Sequence, residues 1–448
     1  MPLRHLAAGL ALLCAGLGTT PAADAQTAGT TPTAGTTQDP GTIIHAGRLL
    51  AVPGAGVAEE RSILIRNGRI VAIEDGYTTG GGDWRGARIV DLTDHFVLPG
   101  LIDAHVHITG ELGPRQKLDR VEMSDARTAM RAWAYADRTL AAGFTTIRDV
   151  GANAEAVFAL RDAIAAGEVT GPRILSAGST ISATGGHGDV HGYRDDILHL
   201  MEDTSSCDGA DDCRRAVRRQ VKRGSDLIKI TATGGVLSET AAGTGQQMFD
   251  DEMTAVVETA HALGRKVAAH AHDAAGIKAA LRAGVDSIEH GTFLDDEAIA
   301  LFKETGAYLV PTVLAGVTVS EMAQAPGSFM APPVAEKAIR VGPALMKMLA
   351  RAHEAGVRIA FGTDTGVSPH GQNARELVLM VEAGMPAEAV LRTATVEAAT
   401  LLGLDDTVGT IEPGKAADIV AVAGDPLSDM ATMRSVGFVM RDGRVRRR

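Results

Sequence analysis

Aromatic side chains make up only 3% of the 448 residues, and cysteine occurs three times. So few aromatics, beside 52 glycines and a 45% hydrophobic content, fit a Gly/Ala-rich soluble α/β enzyme. Cys207 and Cys213, the two cysteines outside the N-terminal stretch, cannot close a zinc site alone, because a structural site takes four ligands. Long Lys/Arg blocks are missing and the net charge is −12, which argues against a nucleic-acid polyanion as partner. No GxGxxG turn follows the first strand, which counts against a doubly wound dinucleotide-binding sheet. The GxSxG elbow of serine hydrolases is absent too.

What is present begins with an export signal. The apolar stretch Leu6 to Leu17 follows a positive start at Arg4 and His5, and is shorter than the roughly 20 residues a membrane span needs. Ala23-Asp24-Ala25 supplies a small-x-small pattern, so residues 1–25 read as a signal peptide cleaved after Ala25. A lipoprotein reading through Cys14 is disfavoured by Leu13 before it. Residues 26–41, rich in Thr, Gly and Ala, read as a flexible leader. The expected location is periplasmic or secreted, with no membrane span in the mature chain. In an oxidising compartment a Cys207–Cys213 disulfide is favoured over two unpaired thiols. The tail Arg441–Arg448 reads as a short, solvated basic terminus.

The mature chain opens with strand signals at Thr42–His45, Ser62–Arg66 and Arg69–Ile73, with Asn67-Gly68 as a two-residue hairpin turn. Strands return at Asp418–Ala423 and Val436–Met440. Residues 42–95 and 404–448 are therefore expected to form a small β-sandwich domain built from both chain ends. Between them, a strand at Phe96–Ile102 is followed by strands at Thr145–Asp149, Arg173–Ala177, Asp226–Thr231, Lys266–His270, Ser287–His290, Tyr308–Pro311 and Arg358–Gly362. Ala-rich helical segments separate most of these. Eight strand–helix repeats predict a (β/α)8 TIM-type barrel over residues 96–403. A doubly wound open sheet is the alternative.

In such a barrel every strand delivers its C-terminal residues to one face. His105 and His107 share one side of the chain because side chains alternate along a strand. That face also collects Lys229, His270, His290 and Asp364. Five residues of metal-ligand type point to divalent ions, with zinc the natural choice for His/carboxylate ligands and manganese or cobalt as substitutes. A lysine ammonium among them would repel an ion. Carbamylation of Lys229 by CO2 turns it into a carboxylate able to bridge two metals. Two ions would polarise a carbonyl and activate a water, with Asp364 accepting its proton and passing it to a leaving amine.

Leu98-Pro-Gly-Leu-Ile-Asp-Ala-His-Val-His107, Ile228-Lys-Ile230, His270-Ala-His272, Glu289-His290-Gly291, Gly362-Thr-Asp-Thr-Gly366 and Gly409–Ile419 together resemble the amidohydrolase superfamily. Within it, the strand-four lysine with Thr231-Ala-Thr-Gly-Gly235 is similar to binuclear Xaa-Pro dipeptidases, Xaa-Arg/Lys carboxypeptidases and ochratoxin-type amidohydrolases. The resemblance implies hydrolysis of the C-terminal amide of dipeptides or N-acyl amino acids, and assembly into a homo-oligomer. Ring-opening hydrolysis of the imidazolonepropionase kind is the second enzymatic reading, and an inactive barrel serving as a binding protein is the third.

Other residues are weighed singly. His187, on the loop Ala183–Asp189, is expected to hold or polarise the scissile carbonyl, and His272 to contact substrate. His191 and His370 are weaker loop candidates, and His261 is expected to be solvated. Asp103 is expected to support a ligand histidine, Thr363 and Thr365 to fix Asp364, and Glu289 to be structural. Arg148-Asp149 reads equally as a rim salt bridge or a substrate contact.

Overall fold

A computed structural model describes residues 39–201, 205–238 and 243–447; the expected signal peptide and the leader before Asp39 lie outside the described residues. The chain opens with β1 (Thr42–Leu49), β2 (Ala58–Arg66), β3 (Arg69–Asp75) and β4 (Arg88–Pro99). Asn67 and Gly68, with φ of 52° and 76°, make the turn between β2 and β3, a conformation that Asn-Gly adopts at little cost.

Seven strands follow in parallel array. β5 (Leu101–Val106), β6 (Phe144–Asp149) and β7 (Arg173–Ser176) form one sheet. A second contains β8 (Ile228–Thr231), β9 (Val267–Ala271), β10 (Ser287–His290) and β11 (Tyr308–Val310). Isolated parallel bridges join Ile181 to Ile230, Leu309 to Ile359 and Val106 to Thr365. Helices between the strands cover the outside, several started by a side chain that accepts a first-turn N–H, as at Ser124, Asn153, Asp273 and Asp295.

The chain returns in β12 (Ile419–Val422), β13 (Phe438–Arg441) and β14 (Arg444–Arg447). These join the opening strands in one seven-stranded sheet of order β14-β13-β12-β4-β1-β2-β3. It has its own core, including Ile44, Ile63, Val97, Ile419 and Phe438, all essentially inaccessible to solvent.

Four expectations are corrected. The strand expected at Phe96–Ile102 is two strands: Phe96–Pro99 ends β4 in the terminal sheet, and β5 begins beyond Gly100. A Cβ on Gly100 would lie 2.3 Å from Thr145 Oγ1, so the chain crosses there only without a side chain. Arg358–Gly362 forms no ladder: it makes the single bridge Ile359 to Leu309 and accepts from Ala104 N at Phe361 O, and pairing with β5 continues beyond it through Asp364 N to His105 O. Pro386–Leu402, whose Ala-rich sequence reads as one helix, is divided by a π-turn at Thr393–Glu397, where Thr393 O accepts from Phe361 N. The basic tail is the edge strand β14, preceded by a buried Arg441 that donates to Gly171 O. Cys207 and Cys213 are bonded to one another and buried.

Candidate active site

Parallel strands bring their C-terminal ends together, and here those ends carry histidines. Ligand-type atoms of His105, His107 and Asp364 lie within 4.8 Å of one another, and so do those of His270, His272 and His290. Lys229, at the second position of β8, is buried, and its charge acts on members of both groups. The groups meet at His105 and His290, whose ring centroids are 5.2 Å apart.

Each imidazole is oriented from behind. His105 Nδ1 contacts Glu289 Oε2 at 2.7 Å and His107 Nδ1 contacts Gly151 O at 2.6 Å. Those acceptors require Nδ1–H, which leaves the Nε2 lone pairs facing inward. His290 Nδ1 lies 2.6 Å from Thr312 Oγ1, whose own proton goes to Pro311 O at 2.8 Å, so the hydroxyl accepts from the imidazole. His272 Nδ1 pairs with Thr292 Oγ1 at 2.6 Å, and His270 turns Nε2 toward Gly234 O at 3.3 Å. The inward Nε2 atoms of His107 and His105 stand 3.2 and 3.5 Å from Asp364 Oδ1. Two nitrogen lone pairs and a carboxylate oxygen at that spacing repel one another unless a cation or a proton lies between them. The donor set therefore fits a metal ion.

The electrostatics follow from burial. Burial holds His105 and His272 down to about 4 and His270 and His290 well below the ordinary range, so all four are neutral at physiological pH. Burial would also lower His107, but Asp364 beside it wins and raises it. Burial pushes against the charge on Asp364, yet His105, His107 and Lys229 hold its carboxyl below the ordinary value. Lys229 is brought down to about 8, burial outweighing Glu289 and Asp364.

Glu289 has a larger part than its alternation away from His290 suggested. Its Oε1 accepts from Arg148 Nη2 at 2.9 Å while Oε2 holds His105, all three side chains being buried. Arg148 is thus an interior ion pair and not a rim one. Asp103 accepts from His105 N, Thr363 N, Thr363 Oγ1 and Asn373 Nδ2, tying β5 to the segment before Asp364. Thr363 Oγ1 also meets Thr365 Oγ1 at 2.5 Å, which braces Asp364 from both sides. Asp149 accepts from Ile108 N at 2.7 Å just beyond His107.

His187 packs against His270 with the rings tilted by 38° and 4.4 Å between centroids, and its buried Nδ1 has no hydrogen-bond partner. A Cβ on Gly235 would fall 2.2 Å from that ring, so only glycine lets the loop after β8 close over it. Burial takes His187 down to about 3. The weaker candidates sit apart: His191 Nε2 binds Gly186 O, His370 stacks on Tyr135, and His261 is exposed, as expected, and pairs with Asp286. Thr292 and Thr312 escaped the sequence reading, since nothing marks a threonine after a strand as the partner of a histidine.

The groups open into a cavity of about 560 Å³. Asp119, Arg120, Arg131, Asn153, Thr180 and Asp189, from the segments after β5, β6 and β7, give it polar lining. Val236, Ala315, Val319, Val341 and Leu345 give it apolar lining, four of them from the helices Val313–Gln324 and Pro332–Glu354.

The segment that carries these strand-end histidines, the buried lysine and the braced aspartate, residues 96–446, matches the Amidohydrolase family. The chain belongs to that family. It is a hydrolase acting on C–N bonds. A solved Xaa-Pro dipeptidase with bound methionine in its active site is 41% identical, with a TM-score of 0.84 over 90% of this chain and 99% of that one. Ochratoxinase from Aspergillus niger is 31% identical over 437 residues, 90% of this chain and 86% of that protein. Imidazolonepropionase from Mesorhizobium japonicum is 25% identical over 82% of this chain. These neighbours support dipeptidase-like amide hydrolysis, a metal-dependent site, and an α/β fold of barrel plus sheet domain. Among the described residues, no helix is long and apolar enough to cross a membrane.

Proposed function

We propose that the protein is an exported amidohydrolase with two divalent ions, zinc by its ligand types, that releases the C-terminal amino acid from dipeptides or N-acyl amino acids. The observation that carries this is the pair of candidate ligand groups and one buried lysine lining the same cavity, which has adjacent polar and apolar walls. His105, His107 and Asp364 would hold one ion and His270 and His290 the other, with a carbamylated Lys229 supplying a carboxylate to both. When bound, the ions polarise the scissile carbonyl and acidify a water. A lysine near pKa 8 supports the carbamate, because the neutral amine is the form that attacks CO2.

Asp364, ionised at neutral pH, accepts the proton of the attacking water and delivers it to the leaving amine. His187 is neutral and can donate one N–H to the carbonyl oxygen, while His272 holds the outer part of the substrate. The apolar lining suits a substrate with an apolar or aromatic side chain, as in aryl-acyl phenylalanine conjugates such as ochratoxin A. The three isolated bridges between the sheets support closure of the eight segments into one barrel. Residues 1–25 support export, and homo-oligomeric assembly is part of the same reading.

A library of dipeptides and N-acyl amino acids, incubated with the metal-loaded mature protein, tests this by mass spectrometry. A free amino acid as product is expected. Ring-opened products alone would favour the imidazolonepropionase type, and an inert, metal-free protein would favour a binding role.

A further inference from the structure

Three residues other than glycine have left-handed backbone at the ends of successive parallel segments: His290 (φ 72°), Thr312 (φ 50°) and Asp364 (φ 56°). Such a conformation is strained for a side-chain-bearing residue and persists only where the surroundings impose it. His290 and Asp364 belong to the ligand groups, but Thr312 does not. Its hydroxyl accepts from His290 Nδ1, and it stands immediately before the helix Val313–Gln324. Thr312 offers no side-chain cap to that helix. The cap comes instead from Glu376, in the helix Ala374–Glu382: its two carboxylate oxygens accept from Val313 N at 2.9 Å and Leu314 N at 2.5 Å. Glu376 is fully buried, and an unpaired acid there is costly, so a structural filler would be apolar. The clamped helix also carries Ala315, Gly316 and Val319 to the cavity.

We propose that Glu376 is a positioning residue for the second metal group: by fixing the first two N–H groups of this helix it holds Thr312 in its left-handed turn, and Thr312 fixes the tautomer and tilt of His290. The same clamp seats the apolar lining, so one carboxylate sets both a ligand and part of the substrate pocket. This rests on the reading of His290 as a metal ligand.

The test measures zinc binding to the full mature protein, stripped of metal and titrated against a chromophoric chelator, with the melting temperature of the metal-free form as a fold control. Glu376→Gln keeps the shape but can accept at only one of the two N–H groups. It should weaken the more labile ion by about 10- to 100-fold, the usual scale for outer-shell partners, and leave the other unchanged. Thr312→Ala should do the same and Thr312→Ser should restore binding. The double variant should be no worse than the more damaging single one, because the two act in series. KM for substrates with apolar side chains should rise in Glu376→Gln alone. Should Glu376→Gln not fold, Glu376→Asp, which keeps the carboxyl group one methylene short, is read in the same way. Wild-type affinity in a folded Glu376 variant, or losses that add, would overturn the proposal. Retention of both ions by His290→Ala would instead remove the reading beneath it.

Discussion

The two ligand groups differ in how their charge is managed. His105, His107 and Asp364 include a carboxylate, and their histidines are held by a carboxylate and a backbone carbonyl. His270, His272 and His290 have no carboxylate, and two of their histidines are held by neutral hydroxyls. A cation in the first group meets a negative partner on arrival. In the second it has none unless Lys229 becomes an anion. The first group thus has a negative partner among its own side chains, whereas on the proposed reading the second would draw one from a carbamylated Lys229.

The sharpest way to break this comparison is Asp364→Asn, which keeps the shape and removes both the base and the charge. Turnover should fall by about two to four orders of magnitude, far more than metal content falls. Near-normal turnover would refute the assignment. Lys229→Ala should cost most of the activity and preferentially the second ion, and added acetate or propionate should restore part of both. An unmodified amine at this residue in the metal-loaded protein, read by mass or by diffraction, would end the carbamate reading.

His272→Asn sharpens the second group. Two ions should remain, with a raised KM; loss of one ion would make His272 a ligand, as its distance to His270 and His290 allows.

Acidification is the next probe. His105, His272 and His370 are each depressed to about 4 by burial, below the usual 6.5. The unfolded chain therefore takes up their protons first as pH falls. Their contribution to stability is complete above pH 6.5 and is lost as pH falls toward 4. The melting temperature of metal-free protein should drop across that window, and a flat profile from pH 7 to 4.5 would contradict the burial argument. The smallest effect is expected from Cys207→Ser with Cys213→Ser. Closing so short a loop is worth about 2 kcal/mol, with both ligand groups untouched.

The ligands were legible because each sits near a strand end, where parity and the parallel topology decide its direction. His105 and His107 needed only alternation, and Lys229 only its place in Ile228-Lys-Ile230. What stayed hidden was long-range. Glu289 reaches His105 across 184 positions, and Glu376 reaches Val313 across 63. No local pattern encodes either. The helix Val313–Gln324 was missed because Pro311 and an apolar run suggested only a strand end. The eighth strand was over-read because its apolar pattern is that of a buried strand, whereas the segment meets its two neighbours only through isolated bridges.

The junction of β4 with β5 bears on how the molecule is made. Phe96–Pro99 lies between β1, synthesised early, and Ile419–Val422, synthesised almost last, and only Gly100 separates it from the strand bearing His105. Until the ribosome has passed residue 419, one edge of β4 has no neighbour. Pairings so distant in sequence are slow to form, and an open edge invites other chains. Maturation of the metal centre should thus be a post-synthetic event, gated by arrival of the C-terminus. A chain cut short before Ile419 would carry every candidate ligand and still lack the strand that completes the sheet leading into them.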